Sequence, residues 1–136
     1  MAFPLPGANW TYLHALTRKA STGISGFALA DGTGTIISWT APNDGQLHRF
    51  TLLALAHVSS AETGGQVVVE YAGPWTGAVT HTTTLFAAGL ASDGGAGTAP
   101  SSTPQVTVGP GTTVTIAQAT ALTAGAATVY AEIWGS

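Results

Sequence analysis

Within Gln46–Ser59, Phe50, Leu52, Ala54, Ala56 and Val58 alternate onto one face of an extended chain, and Leu53 and Leu55 fall on the other. This period of two predicts a strand that is apolar on both faces at its middle. The preceding Pro42-Asn43-Asp44-Gly45 is a turn signal and favours strand over helix. In Gln66–Ala72, Val67, Val69 and Tyr71 share one side while Gln66, Val68 and Glu70 share the other, the pattern of a half-exposed strand. Between the two, Ser59–Gly65 reads as a polar hairpin loop whose glycines can take positive φ.

Upstream, Gly26–Ala30 and Thr35–Thr40 flank Asp31-Gly32-Thr33-Gly34 and read as another hairpin. Downstream, Ala78–Ala87 is rich in β-branched residues, which suit a pleated surface and crowd a helix. Ala88–Pro104 carries two prolines, Pro100 and Pro104, and a run of glycines, and reads as one long loop. Three further strands are expected at Gln105–Val108, Thr112–Ala117 and Ala127–Trp134, with Gly109-Pro110-Gly111 as a turn and Ala117–Ala126 as a long connection. In the last strand Val129, Ala131 and Ile133 share one face. Tyr130, Glu132 and Trp134 share the other, facing either solvent or another subunit.

About eight short strands without an amphipathic helix imply an all-β fold, an antiparallel β-sandwich. Jelly-roll topology is favoured, with an immunoglobulin-like order as the rival, because alternation does not reveal connectivity. Pro4 and Pro6 make residues 1–12 an extended amino-terminal arm ahead of a single sandwich domain at 13–136.

Composition changes this picture in one respect. Only 7 % of residues are charged, against about 25 % in ordinary soluble domains. Alanine, threonine and glycine fill 64 of the 136 positions. A surface so poor in charge suggests homo-oligomerisation, with protomer faces replacing charged, solvated ones. Leu53, Leu55, Tyr130 and Trp134 are the candidate interface residues. The net charge of −3 and the lack of a basic cluster argue against nucleic-acid binding. The uncharged stretch Gly94–Ala131 is interrupted too often by Thr, Gly, Ser and Pro for a membrane-spanning helix. The amino end lacks the basic and apolar regions of a secretion signal. With no cysteine, disulfides and thiol chemistry are excluded.

Catalytic chemistry is hard to assemble from what remains. His48 and His57 lie nine apart in one strand, on opposite faces and about 30 Å from each other at the usual strand rise. His81 could approach His57 across a hairpin, but no third metal ligand accompanies them. Asp31, Asp44 and Asp93 each precede a glycine, the context of a turn-stabilising carboxylate. Glu62 is placed in a loop, and Glu70 and Glu132 are isolated in strands. No hydrolase, zinc-protease or phosphate-loop motif is present. The reading is of a protein that is not an enzyme and needs no metal or cofactor. Among the tryptophans, Trp39 ends a strand and suits core or interface, while Trp75 in a Gly-Pro turn is a possible ligand or partner contact. Asn9-Trp10-Thr11 fits the glycosylation pattern, incidentally in the absence of a secretion signal.

The block Thr35–Leu55 followed by Gly64–Tyr71 resembles small jelly-roll structural proteins of tailed bacteriophages. The carboxyl-terminal Thr112–Ile133 is similar to the final hairpin of head-decoration proteins and other minor virion proteins. These segments cover less than half of the chain and contain no diagnostic motif. The resemblance implies a homotrimer on the outer surface of a phage head, bound to the major capsid protein and stabilising its lattice. It further implies that the amino-terminal arm, with Phe3, Leu5, Trp10 and Tyr12, meets that lattice. A tail-fibre or baseplate adhesin tip recognising a host glycan is the alternative.

Overall fold

The computed structural model describes residues 15–72, 79–91 and 105–136. Among these residues nine strands form two antiparallel sheets: β1 (Thr17–Ser21), β2 (Phe27–Ala28), β3 (Gly34–Thr40), β4 (His48–Gly64), β5 (Val67–Ala72), β6 (Thr80–Phe86), β7 (Val106–Val108), β8 (Thr113–Gln118) and β9 (Leu122–Gly135). The first sheet has the order β1-β9-β4-β7, with β2 also on β9. The second has the order β3-β8-β5-β6. The expected antiparallel, all-β architecture is therefore present.

The longest pairing, β4 with β9, follows from the alternation in both segments. Leu52 lies opposite Ile133, Ala54 opposite Ala131 and Ala56 opposite Val129, and all six are buried. From the other sheet, Val67 and Val69 of β5, Val114 and Ile116 of β8 and Phe86 of β6 close the same core. Phe50 and Tyr71 meet edge to face across it, with ring centroids 5.1 Å apart. Small residues facing large ones let the sheets interdigitate at core density.

Several local expectations are corrected. Ser59–Gly65 is not a hairpin loop: β4 continues to Gly64 and pairs with the start of β9 through register shifts. Its polar sequence suits a ribbon whose faces are largely wet, and the bulges absorb the twist. At Gly125 φ is +83°, and a Cβ there would collide with the Ala61 carbonyl oxygen, so the close strand approach requires glycine. The connection expected over Ala117–Ala126 shrinks to three residues, because β8 runs to Gln118 and β9 begins at Leu122. Gly26–Ala30 and Thr35–Thr40 do not form a hairpin. β2 pairs with β9 and β3 with β8, so Asp31–Gly34 carries the chain from one sheet to the other. The turn at Gly109–Gly111 likewise crosses between sheets, from β7 on β4 to β8 on β3 and β5. Strand β1 has no counterpart among the expected strands.

The Asp31–Gly34 crossover is held by Gln118, which is 2 % exposed. Its Oε1 accepts the Ala30 N–H at 3.0 Å, and its Nε2 donates to the carbonyls of Ala30 at 2.7 Å and Thr120 at 3.0 Å. All of these polar groups are thereby paired where the chain leaves the ladder.

Candidate functional site: the outer face of the β4–β9 sheet

Because β4 and β9 alternate strictly from Phe50 to Val58, the residues between the core positions form a second row facing away from the core. Leu53 lies opposite Glu132, Leu55 opposite Tyr130 and Thr51 opposite Trp134. The structure thus brings the four candidate interface residues, Leu53, Leu55, Tyr130 and Trp134, onto one sheet face. Leu53 is 52 % exposed. Beside this row, β1 and the turn after it add Arg18, Ser21 and Ile24, and Ile24 is fully exposed. Leu53, Leu55, Tyr130 and Glu132 with these residues line a groove of about 510 Å³.

The charges of the groove are paired within the chain. Arg18 Nη1 lies 3.1 Å from Glu132 Oε2, and the Trp134 Nε1–H reaches Glu132 Oε1 at 3.4 Å. An exposed ion pair of this kind adds little stability. Its effect here is local: it occupies both charges and leaves the leucines, Ile24 and the Tyr130 ring as the available contact surface. Contiguous exposed apolar surface is a mark of an interaction site. The Arg18–Glu132 pairing spans 114 residues, so no local sequence signal could reveal it. Ile24, an isolated large apolar residue between Gly23 and Gly26, was the signal available for the turn.

Two other clusters contain titratable side chains. His48, Asp44 and Ser136 are the residue types of a nucleophilic triad, but their arrangement is a clasp. His48 Nε2 faces Asp44 Oδ1 at 2.9 Å and Nδ1 faces the main-chain oxygen of Ser136 at 3.1 Å. The Ser136 hydroxyl accepts the Arg49 N–H at 3.0 Å, so the imidazole is not bonded to the hydroxyl as a general base would be. Asp44 also accepts the Gln46 N–H, the turn role expected of it. The His48 hydrogen bond holds the Asp44 carboxyl below its ordinary range, with the Gln46 N–H adding to the effect. On the second sheet, Glu70, Tyr71, Thr113 and Thr115 line a shallower depression of about 420 Å³. It contains one carboxylate and otherwise offers hydroxyl groups and apolar surface.

His81 does not approach His57. It stacks on Tyr71 in the second sheet at 5.4 Å, whereas His57 lies opposite Thr128 in the first. Among the described residues no three His, Cys, Asp or Glu side chains are grouped to hold a metal ion. Glu62 is not in a loop but on β4, and it is only 6 % exposed. Burial pushes its carboxyl above the ordinary range. The nearby N–H groups of Leu90 and Gly89 offset part of this, yet neither carboxylate oxygen closes a hydrogen bond. Phe3, Leu5, Trp10, Tyr12 and Trp75 lie outside the described residues.

No protein-family model and no curated protein matches the chain.

Proposed function

We propose that this chain is a non-catalytic virion structural protein, a jelly-roll head-decoration protein that self-associates through the outer face of the β4–β9 sheet and binds the major capsid lattice. The observation that carries the assembly role is the groove between β1, β4 and β9, where exposed Leu53 and Ile24 and the half-buried Tyr130 lie beside an ion pair already closed within the chain. Protein partners suit such a face, because its apolar core needs no new charge partner. The virion setting rests on the resemblance of Thr35–Leu55, Gly64–Tyr71 and Thr112–Ile133 to phage structural proteins.

Strand order supports the jelly-roll reading. Four positions in each sheet are filled, and β9 lies between the opening strands and β4. From β2 onward every connection passes between sheets except that from β5 to β6. Two interleaved Greek keys produce this order, and viral capsid domains are among the proteins that use it.

Light scattering on the purified chain at tens of micromolar tests association at a stated concentration, as mass action requires. A trimer mass is expected, and a monodisperse monomer overturns the self-association. Binding to empty phage heads, compared with binding to host-surface glycans, tests the setting. Head binding is expected; glycan binding without head binding rejects decoration in favour of a tail adhesin.

A further inference from the structure

We propose that the groove on the β4–β9 sheet seats the amino-terminal segment, residues 1–14, of a neighbouring copy, so that copies are joined by exchanged arms. This rests on the self-association reading and adds the identity of the occupant.

The first argument is chemical. Arg18 and Glu132, the charged side chains of the groove among the described residues, are bonded to each other at 3.1 Å. A charged occupant would have to compete with that pair, whereas an uncharged apolar one would not. No Asp, Glu, Lys or Arg precedes Arg18, and the first 14 residues contain Phe3, Leu5, Trp10, Tyr12 and Leu13. Such side chains suit a groove bordered by Leu53, Leu55, Ile24 and the Tyr130 ring, since aromatic residues are the usual anchors of protein interfaces.

The second argument is directional. β1 begins with Thr17 opposite Gly135, and the groove is lined by the residues that follow, from Arg18 to Ile24. The chain before Thr17 therefore joins β1 at the end remote from Ile24. To return along its own groove it would have to reverse, and between Ala8 and Thr22 the sequence offers neither glycine nor proline for a tight reversal. Fourteen residues at about 3.3 Å each can extend roughly 45 Å, enough to reach an adjacent copy.

The absence of cysteine makes the test direct. An acceptor chain lacking residues 2–12 and carrying Ile24→Cys, labelled with a benzophenone, is mixed with the intact wild-type chain and irradiated. Ile24 is fully exposed, so its replacement leaves the core untouched. The acceptor has no arm, and tryptic cleavage after Arg18 releases the donor's residues 1–18 as one peptide. The expected result is a cross-link from position 24 to that peptide. In parallel, removal of residues 2–12 from the unlabelled chain is expected to lower its mass by light scattering to that of a monomer, with an unchanged circular-dichroism spectrum. A link to any other peptide, no link at all, or unaltered association of the truncated chain overturns the exchange. A link to the 1–18 peptide seen only when an intact Ile24→Cys chain is irradiated alone at high dilution means that the segment folds onto its own groove, and also overturns it. If the wild-type chain is itself monomeric at tens of micromolar, the self-association reading fails first; in the other cases it survives.

Discussion

The indole of Trp39 on β3 lies against the backbone of Gly135 on β9, so closely that a Cβ at Gly135 would sit 2.7 Å from the ring. The two residues belong to different sheets, and their contact fastens the sheets together near the end of β9. Gly135 is required there for space alone, since its φ is not in the left-handed region. Gly135→Ala forces the ring or the strand to move and is expected to cost about 1–3 kcal/mol. Urea denaturation followed by Trp fluorescence checks this, with a lower midpoint and an unchanged slope as the expected signature.

Gln118→Leu keeps the bulk of the side chain but leaves the N–H and C=O of Ala30 and the carbonyl of Thr120 without the partners Gln118 provides. The Ala30 carbonyl keeps the Leu122 N–H at 2.8 Å, and Ala30 and Thr120 are exposed enough for water to reach their backbone groups, so the loss expected is on the order of 1 kcal/mol. Gln118→Glu is expected to recover only part of it, because a carboxylate can accept from Ala30 N–H but cannot donate to the two carbonyls when ionised. Comparing the denaturation midpoints of the two variants separates hydrogen bonding from packing.

The Asp44 carboxyl is depressed in the folded protein by His48 and by the Gln46 N–H. A depressed carboxylate contributes stability that is fully present above its unfolded value, about 3.9. That contribution is lost as pH falls through the folded value. Thermal midpoints of wild type and Asp44→Asn are therefore expected to differ at pH 5 to 6 and to converge at about pH 2. The His48 ring bridges Asp44 and the Ser136 main-chain oxygen, so His48→Phe is expected to break both ties and lower the midpoint.

Glu62 shifts the opposite way. Its folded-state value is raised by burial, so the folded chain holds the proton more tightly than the unfolded one. The penalty is complete above the folded value and disappears as pH falls below the unfolded value. Glu62→Met removes a buried carboxylate without hydrogen-bond partners and is expected to stabilise the protein by about 1–3 kcal/mol at pH 8. The advantage should shrink on acidification, which melting curves at pH 8 and pH 4 will show.

The strands with the strongest period-two pattern were legible in sequence. The alternation in Gln46–Ser59 and Ala127–Trp134 specifies both strands and their faces, and the pairing of β4 with β9 puts Leu53, Leu55, Tyr130 and Trp134 on one outer row. The ribbon extension through Ser59–Gly64 was not legible. Serine, threonine and glycine there have the composition of a loop, and only the facing strand, some 60 residues later, supplies the hydrogen bonds that make it a strand. The burial of Glu62 is hidden in the sequence for the same reason. A carboxylate in a polar stretch looks solvated until the neighbouring backbone covers it.

By itself, the sequence determined the all-β character, the core faces of the main strands and the charge-poor surface, because alternation and composition are local properties of a chain whose side chains point to opposite faces every residue. Only the tertiary structure decided which strands are neighbours. It paired Arg18 with Glu132, moved β2 and β3 into different sheets, set Trp39 on Gly135 and created the groove from β1, β4 and β9. Strand order is fixed by the joint burial of both sheets around one core, a sum over residues far apart in the chain. No local pattern records that sum.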